Sequence, residues 1–455
     1  MPPFHSMHTQ CISFNKNKML DKTTRSVIAL TVVAGILYGF GLGTIVAVAM
    51  PYLECTVSFS SMQLSSLVAA AMIGSVVMTP IAGPLVEWVG RRRAIRESAL
   101  LFVVGTSVVC FSGSGYVMLF IGLLIHGLAM GIQGLVIPLY LAEMLPKNMR
   151  GKGTGIFQLC LIGGVLVSGL WGLIATWYFG AADSTSVSLA AKTLAWKALF
   201  AVEAVPAIFL FTGSFFISES PYWKKGVAKS ENVVSPIVKD SVWQKKYIVP
   251  FILVVVLLAC NQGVGVTALL GYSVKVFQVA GLSGVVANWA DVIFKVMMFG
   301  TTILSCIWIE TKGRKILLKI GTGGCLVGLV IVGLTFFCIE WGRLSVSSTT
   351  GWLAAFGMSV LVSSYALGPG VCVWLVTTEL LPERIRAVGM GVALLFDYGI
   401  STGLQATFLP IAEKTGISVL FGVLLLFAVA YFVTVTVFMP ETKGKSLEEI
   451  EEFFK

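Results

Sequence analysis

The chain has 455 residues, of which 56% are hydrophobic and only 12% charged, and its mean hydropathy is +0.90. A soluble domain carries about 25% charged residues, so the composition excludes an ordinary soluble enzyme and implies a polytopic membrane protein. The net charge of +10 would suggest a nucleic-acid partner in a soluble chain, but here the basic residues cluster in particular loops, where they report topology instead.

Residues 1–26 form a polar segment with no apolar stretch and small-residue cleavage site ahead of the first span, so no removable signal peptide is expected. Twelve apolar runs follow, each near or above the roughly 20 residues that span a hydrocarbon core. They lie at about 27–50, 63–86, 94–112, 116–142, 153–179, 196–217, 248–271, 284–309, 316–339, 352–378, 387–411 and 417–439. Two six-span units, 27–217 and 248–440, are separated by a polar linker at 218–247 and followed by a segment at 441–455. In that last segment Ser446 and Glu449 have capping-box spacing before Ile450, Phe453 and Phe454, which predicts a short amphipathic helix.

Lysine and arginine alternate across the spans. Lys16, Lys18, Lys22 and Arg25 precede the first; Arg91, Arg92, Arg93 and Arg96 follow the second; Lys147, Arg150 and Lys152 follow the fourth; the linker has six lysines; and the loops between the first and second and the third and fourth spans have none. By the positive-inside rule both termini and the linker are expected in the cytoplasm. The protein is then an integral multi-pass component of a plasma or cell inner membrane.

The basic turns are duplicated. Glu87, Gly90 and Arg91 of EWVGRRR recur as Glu310, Gly313 and Arg314 of ETKGRK, and Glu143 to Arg150 of EMLPKNMR recurs as Glu379 to Arg386 of ELLPERIR. Repeated membrane-helix units are a common architecture of secondary transporters. A glutamate at a helix end with an arginine seven residues on can pair across the turn or with the neighbouring bundle, and such pairs, broken and remade, bias one state of a transporter against another. The alternative is a set of surface charges that anchors loops.

Within the tenth span Gly368, Pro369 and Gly370 remove a backbone hydrogen bond and loosen the helix, which predicts a hinge above Trp374 or a packing kink. Asp291 and Lys295 sit at i and i+4 in the eighth span, a spacing that favours an ion pair near enough to the interface to snorkel. Asp397 has no partner close in sequence, and reads as a proton carrier or as a neutral hydrogen-bonding group. His126 is either titratable or a hydrogen-bonded packing residue. Gly39, Gly41 and Gly43 lie in an apolar helix with no strand before them, so they read as helix-contact residues and not as a nucleotide loop. The nine cysteines show no CxxC or His/Cys cluster, and no metal site or cofactor is expected.

The chain resembles the sugar porters of the major facilitator superfamily over nearly its whole length. The resemblance is carried by GPLVEWVGRRR (83–93), PLYLAEMLPKNMRG (138–151) with Gln158, SESP (218–221), NQGVGVTALLGYS (261–273), ETKGRK (310–315), GPGVCVWLVTTELLPERIRA (368–387) and PETKGKSLEE (440–449). It implies an all-helical fold of two pseudo-symmetric six-helix bundles with a monosaccharide site between them. It also implies that the tenth span bends to close the outer side while Trp374 packs on the sugar ring. A neutral polyol needs uncharged hydrogen-bonding groups and an aromatic face. Gln158, Asn261, Gln262, Thr267 and Trp374 supply that set, although buried amides also serve as interhelical glue. Asn261 stands where many relatives have glutamine, Thr267 where they have asparagine, and Asp397–Tyr398 where they have Asn-Trp. Gly41 replaces the first-span aspartate of proton-coupled members, and Leu123 the fourth-span arginine.

The expectation is therefore a transporter, not an enzyme, that moves a hexose or pentose by alternating access, with facilitated diffusion preferred to proton symport. A carrier for a polyol, organic acid or drug-like ion, and a nutrient sensor that keeps the fold without transporting, stay open. The partners expected are the solute and the lipid bilayer, with no nucleic acid and a monomer sufficient.

Overall fold

The computed structural model describes residues 24–42, 48–113, 115–145, 150–182, 184–221, 223, 244–382, 385–443, 445 and 447–454; the side chains of residues 142, 150–154, 310, 386–388, 447, 448 and 451 lie outside that description. Among the described residues, twelve helices are long and apolar enough to cross a membrane. In chain order the spans are Thr24–Leu42, Ser61–Val89, Arg91–Phe111, Tyr116–Leu141, Gly155–Phe179, Leu189–Gly213, Lys245–Val279, Gly284–Ile309, Arg314–Glu340, Ser348–Leu380, Gly389–Thr415 and Ile417–Phe438. The helix is the natural outcome for such runs, because in hydrocarbon each backbone N–H and C=O must be bonded within its own segment.

Three of the spans are interrupted at mid-course. The tenth stops at Leu367 and restarts at Pro369, around Gly368 at φ −121° and ψ −81°. The GPG sequence predicts that break. The seventh runs to Val279, eight residues past its expected end, and breaks at Gly265, which has φ +81°. GVGV lacks a proline and reads as continuous apolar helix, so hydropathy hides the interruption. The first span is described as far as Leu42, and a short helix, Met50–Thr56, comes before the second span; Gly43 lies outside the described residues. The sixth span turns at Val202 and Glu203 between helices Leu189–Ala201 and Ala204–Gly213.

Close helix contact rests on small residues, as van der Waals packing in lipid requires. A Cβ on Gly127 would lie 2.0 Å from the Ala71 carbonyl oxygen, and one on Gly39 1.7 Å from that of Leu161, so the fourth span lies directly on the second and the first on the fifth. Gly41 differs: a Cβ there would meet no backbone, its nearest neighbour being the Glu203 carboxylate at 3.7 Å. The second span packs on the eleventh and the fifth on the eighth, and these two seams join the first six spans to the last six.

The span ends define two faces. One carries the duplicated basic turns; the other carries the Met50–Thr56 helix and the turns after the third, fifth, seventh, ninth and eleventh spans. Polar contacts cross between the two sets of spans at this second, far end. Lys275 Nζ lies 2.5 Å from Glu54 Oε2, Asn288 Nδ2 donates to Thr176 Oγ1 at 2.9 Å, Tyr272 donates to Ser65 at 3.4 Å, and Ser61 donates to Glu413. The far end is thus closed. At the basic face a short helix, Leu447–Glu452, packs on Pro369–Leu380 and buries Ile450; its expected cap, Ser446, lies outside the described residues.

Candidate functional site

The duplicated turns have one geometry. Gly90 (φ +91°, ψ 157°) and Gly313 (φ +94°, ψ 158°) each end one helix and begin the next, in a region that costs a residue with a Cβ strain energy. The N–H groups opened at the new helix start are then capped by a carboxylate from far along the chain. Glu219 Oε1 accepts from the Arg91 and Arg92 backbone at 3.0 and 3.2 Å, and Glu441 accepts from those of Arg314 and Lys315 at 3.1 Å each. These caps belong to SESP and PETKG, motifs whose spacing gives no hint of the contact. An added Cβ would lie 2.7 Å from Glu219 at Gly90 and 2.8 Å from Glu441 at Gly313, so each glycine also leaves room for its cap.

The arginines beside these glycines stay within their own set of spans. Arg91 bonds Glu87 at 2.6 Å and Glu143 at 2.9 Å, with its Nε a further 3.1 Å from Glu143 Oε2. Arg314 reaches Glu379 at 3.4 Å. Among the described side chains, the charges therefore join one duplicated motif to the other inside each repeat. The side chains of Arg150, Arg386 and Glu310 lie outside the described residues.

The polar centre forms at the Gly265 break. Because the helix stops after Gly263 and restarts at Val266, Gln262 and Thr267 meet across five residues: Thr267 Oγ1 donates to Gln262 Oε1 at 2.9 Å, and Gln262 Nε2 donates to Asp397 Oδ2 at 3.1 Å. Asp397 is 0% exposed, and its other oxygen has no partner among the described residues. Thr267 also lines a small cavity with Gly41, Leu42, Met72, Met130 and Gln405. Tyr38 and Tyr398, from opposite sets of spans, meet over Gly134, where an added Cβ would lie 3.5 Å from the Tyr38 ring and 3.8 Å from the Tyr398 hydroxyl.

The remaining site residues separate from this cluster. Asn261 is 1% exposed, and both ends of its amide are engaged, by Tyr365 at 3.1 Å and Tyr431 at 3.4 Å. One residue from Gln262 along a helix, it points about 100° away from it, and here it ties its span to the tenth and twelfth. Gln158 and Trp374 are half-buried, and neither shares a hydrogen bond with the Gln262 cluster.

Lys295 does not snorkel. It bonds Asp291 at 2.7 Å with side chains 0% and 1% exposed, because Gly169 of the fifth span closes over the pair. Position near a span end suggests access to the interface; the neighbouring helix removes it. His126 accepts or donates to Thr106 at 2.9 Å through Nε2, and its Nδ1 lies 3.4 Å from Glu203 Oε2, with both side chains buried. Glu203, a lone acid in the apolar LFAVEAVPA run, is the main residue that motif and spacing miss. An acid in a span is itself the signal that could find it. Among the described residues no His, Cys, Asp or Glu group could hold a metal ion.

A family model described as sugar (and other) transporter matches residues 12–235 and 226–454. The chain belongs to the sugar transporter family of the major facilitator superfamily. This sugar porter is 25% identical to the glucose transporter GlcP of Staphylococcus epidermidis over 93% of its own length and 96% of the relative's. It is 29% identical to the facilitated trehalose transporter Tret1 of Bombyx mori, over 84% and 76%. Its fold matches that of the proton:xylose symporter XylE bound to 6-bromo-6-deoxy-D-glucose, at a TM-score of 0.73 and 22% identity, covering 96% of this chain and all of the other. The sugar porter is thus an integral multi-pass membrane protein of twelve spans, and its family is one of transporters, not enzymes.

Proposed function

We propose that the protein carries a monosaccharide, a hexose or pentose, by alternating access and facilitated diffusion. The observation that carries this reading is the Thr267–Gln262 pair at a helix break between the two sets of spans, where uncharged donors and acceptors suit a neutral polyol. Gln262 and Thr267 contact the sugar from the second repeat, Gln158 faces it from the first, Trp374 supplies the aromatic face, and Asn261 stiffens the wall behind. The repeats, 27–217 and 248–440, rock about this site, and the 218–247 linker joins them on the cytoplasmic side, which is the basic face. Gly368 to Gly370 serve as the hinge of the tenth span, and the Arg91 and Arg314 clusters keep each cytoplasmic end rigid as it moves.

Purified protein in liposomes loaded with unlabelled sugar should take up labelled glucose or xylose by counterflow. Absence of counterflow across monosaccharides, with uptake of a polyol or organic acid instead, would overturn the sugar reading.

Proton symport is the second reading, and the buried carboxylates Glu203 and Asp397 favour it. Under facilitated diffusion an inward proton gradient drives no accumulation above the external sugar level. Accumulation that collapses with a protonophore and is lost in Asp397→Asn or Glu203→Gln would establish symport in its place.

A further inference from the structure

The Asp291–Lys295 pair has a third partner whose position gives the pair a use. Ser273 lies on the helix Val266–Val279, beyond the Gly265 break, and this same helix carries Thr267 in its first turn. The Ser273 hydroxyl donates to Asp291 Oδ1 at 2.6 Å, while Asp291 Oδ2 holds the Lys295 ammonium at 2.7 Å. One carboxylate therefore ties the outer piece of the seventh span to the eighth, and the lysine balances its charge inside the membrane. A break such as that at Gly265 leaves the outer piece free to pivot unless something beyond the break holds it. The Ser273–Asp291 bond lies about two turns past the break.

The opposite repeat is shaped to this cluster. Gly169 of the fifth span faces the pair so closely that a Cβ would lie 3.0 Å from Lys295 Cδ and 3.2 Å from Asp291 Oδ2. One turn nearer the far end, Asn288 bonds Thr176 across the same seam at 2.9 Å.

We propose that Asp291 is a positioning residue for the sugar site: through Ser273 it fixes the Val266–Val279 helix to the eighth span, so that the two swing as one body against Gly169 when the far end closes. Lys295 permits the carboxylate to be there, and Gly169 is the space into which the pair fits. The proposal rests on the sugar reading for its substrate, but its labelling arm reads helix position without any sugar.

Two variants separate this role from a purely structural one. Ser273→Ala removes the tie and leaves the ion pair; the double variant Asp291→Asn with Lys295→Met removes both charges but keeps an oxygen for Ser273 to bond. Both are assayed for sugar exchange in liposomes, and for labelling of a Val68→Cys reporter by an impermeant thiol reagent added on the far side, with the exposed Cys55 replaced by serine. Val68 lines the same small cavity as Thr267. Ser273→Ala is expected to raise the half-saturation concentration about tenfold with a smaller change in maximal rate, and to speed Val68→Cys labelling severalfold; the double variant is expected to stay within about threefold of the parent in both. Unchanged labelling and half-saturation in Ser273→Ala would overturn the proposal. So would a double variant that loses as much as Ser273→Ala, since the ion pair and not the tie would then matter. If no sugar is exchanged at all, the labelling comparison alone decides.

Discussion

The two repeats agree at their turns and differ in their buried chemistry. Gly90 and Gly313 match within 3° in φ and 1° in ψ, and each has its glutamate cap, yet among the described side chains, which do not include that of Glu310, the first repeat holds its arginine with two carboxylates at 2.6 and 2.9 Å and the second with one at 3.4 Å. Deeper in, the first repeat buries His126 and Glu203, while the second buries Asp397 beside the half-buried Gln262 and Thr267 at a broken helix. A turn between two helices has few solutions, so duplication preserves it. Buried polar groups need partners, and each repeat meets that need differently and in part, leaving both Glu203 oxygens and one Asp397 oxygen without a hydrogen bond among the described residues.

The largest contrast should appear on removing the arginines. Arg91→Ala leaves Glu143 and Glu87 without their shared, nearly buried cation and should cost about 3 kcal/mol, whereas Arg314→Ala breaks one long contact among the described side chains and should cost about 1 kcal/mol. Apparent melting temperatures of the purified variants in detergent give the comparison; equal losses would mean that the two clusters are equivalent despite their geometry.

Next in size is the sugar site. Gln262→Ala removes a hydrogen-bonding group for the sugar and strands Thr267 and Asp397, so the half-saturation concentration should rise roughly tenfold to a hundredfold. Gln158→Ala, with no cluster to disturb, should sit at the lower end of that range. A larger effect at Gln158 would move the principal sugar contacts into the first repeat.

Gly90→Ala and Gly313→Ala test the shared turn. Each places a Cβ at positive φ and against a cap oxygen, and each should cost about 1 to 2 kcal/mol. Effects that differ by more than about 1 kcal/mol would show that the turns are alike in shape only. The smallest effect expected is that of Asp397→Asn and Glu203→Gln on equilibrium exchange, which under facilitated diffusion should stay near the parent rate; a steep fall in either would point to a proton step.

Hydropathy makes the twelve spans legible, because a bilayer imposes length and apolarity on every crossing. The Gly368 break is legible because proline cannot donate. The Gly265 break is not, since Gly-Val-Gly costs a helix little until tertiary contacts select positive φ. Residue type marks out Gln262 and Thr267 but does not show that neighbouring Asn261 turns towards Tyr365 and Tyr431, since helix phase relative to the cleft is set by packing. Lys295 is hard to place for the same reason: its depth follows from the sequence, whereas the fifth span that covers it does not. Glu219 and Glu441 act more than a hundred residues from the turns they cap, a distance at which spacing carries no signal.

The most direct measurement of the central claim is sugar counterflow in liposomes with the parent protein and Gln262→Ala side by side, with and without an inward proton gradient. The parent should show a transient overshoot of labelled monosaccharide, Gln262→Ala a sharply reduced one, and the gradient should drive no net accumulation. Equal overshoots in the two proteins, or gradient-driven accumulation in the parent, would contradict that claim.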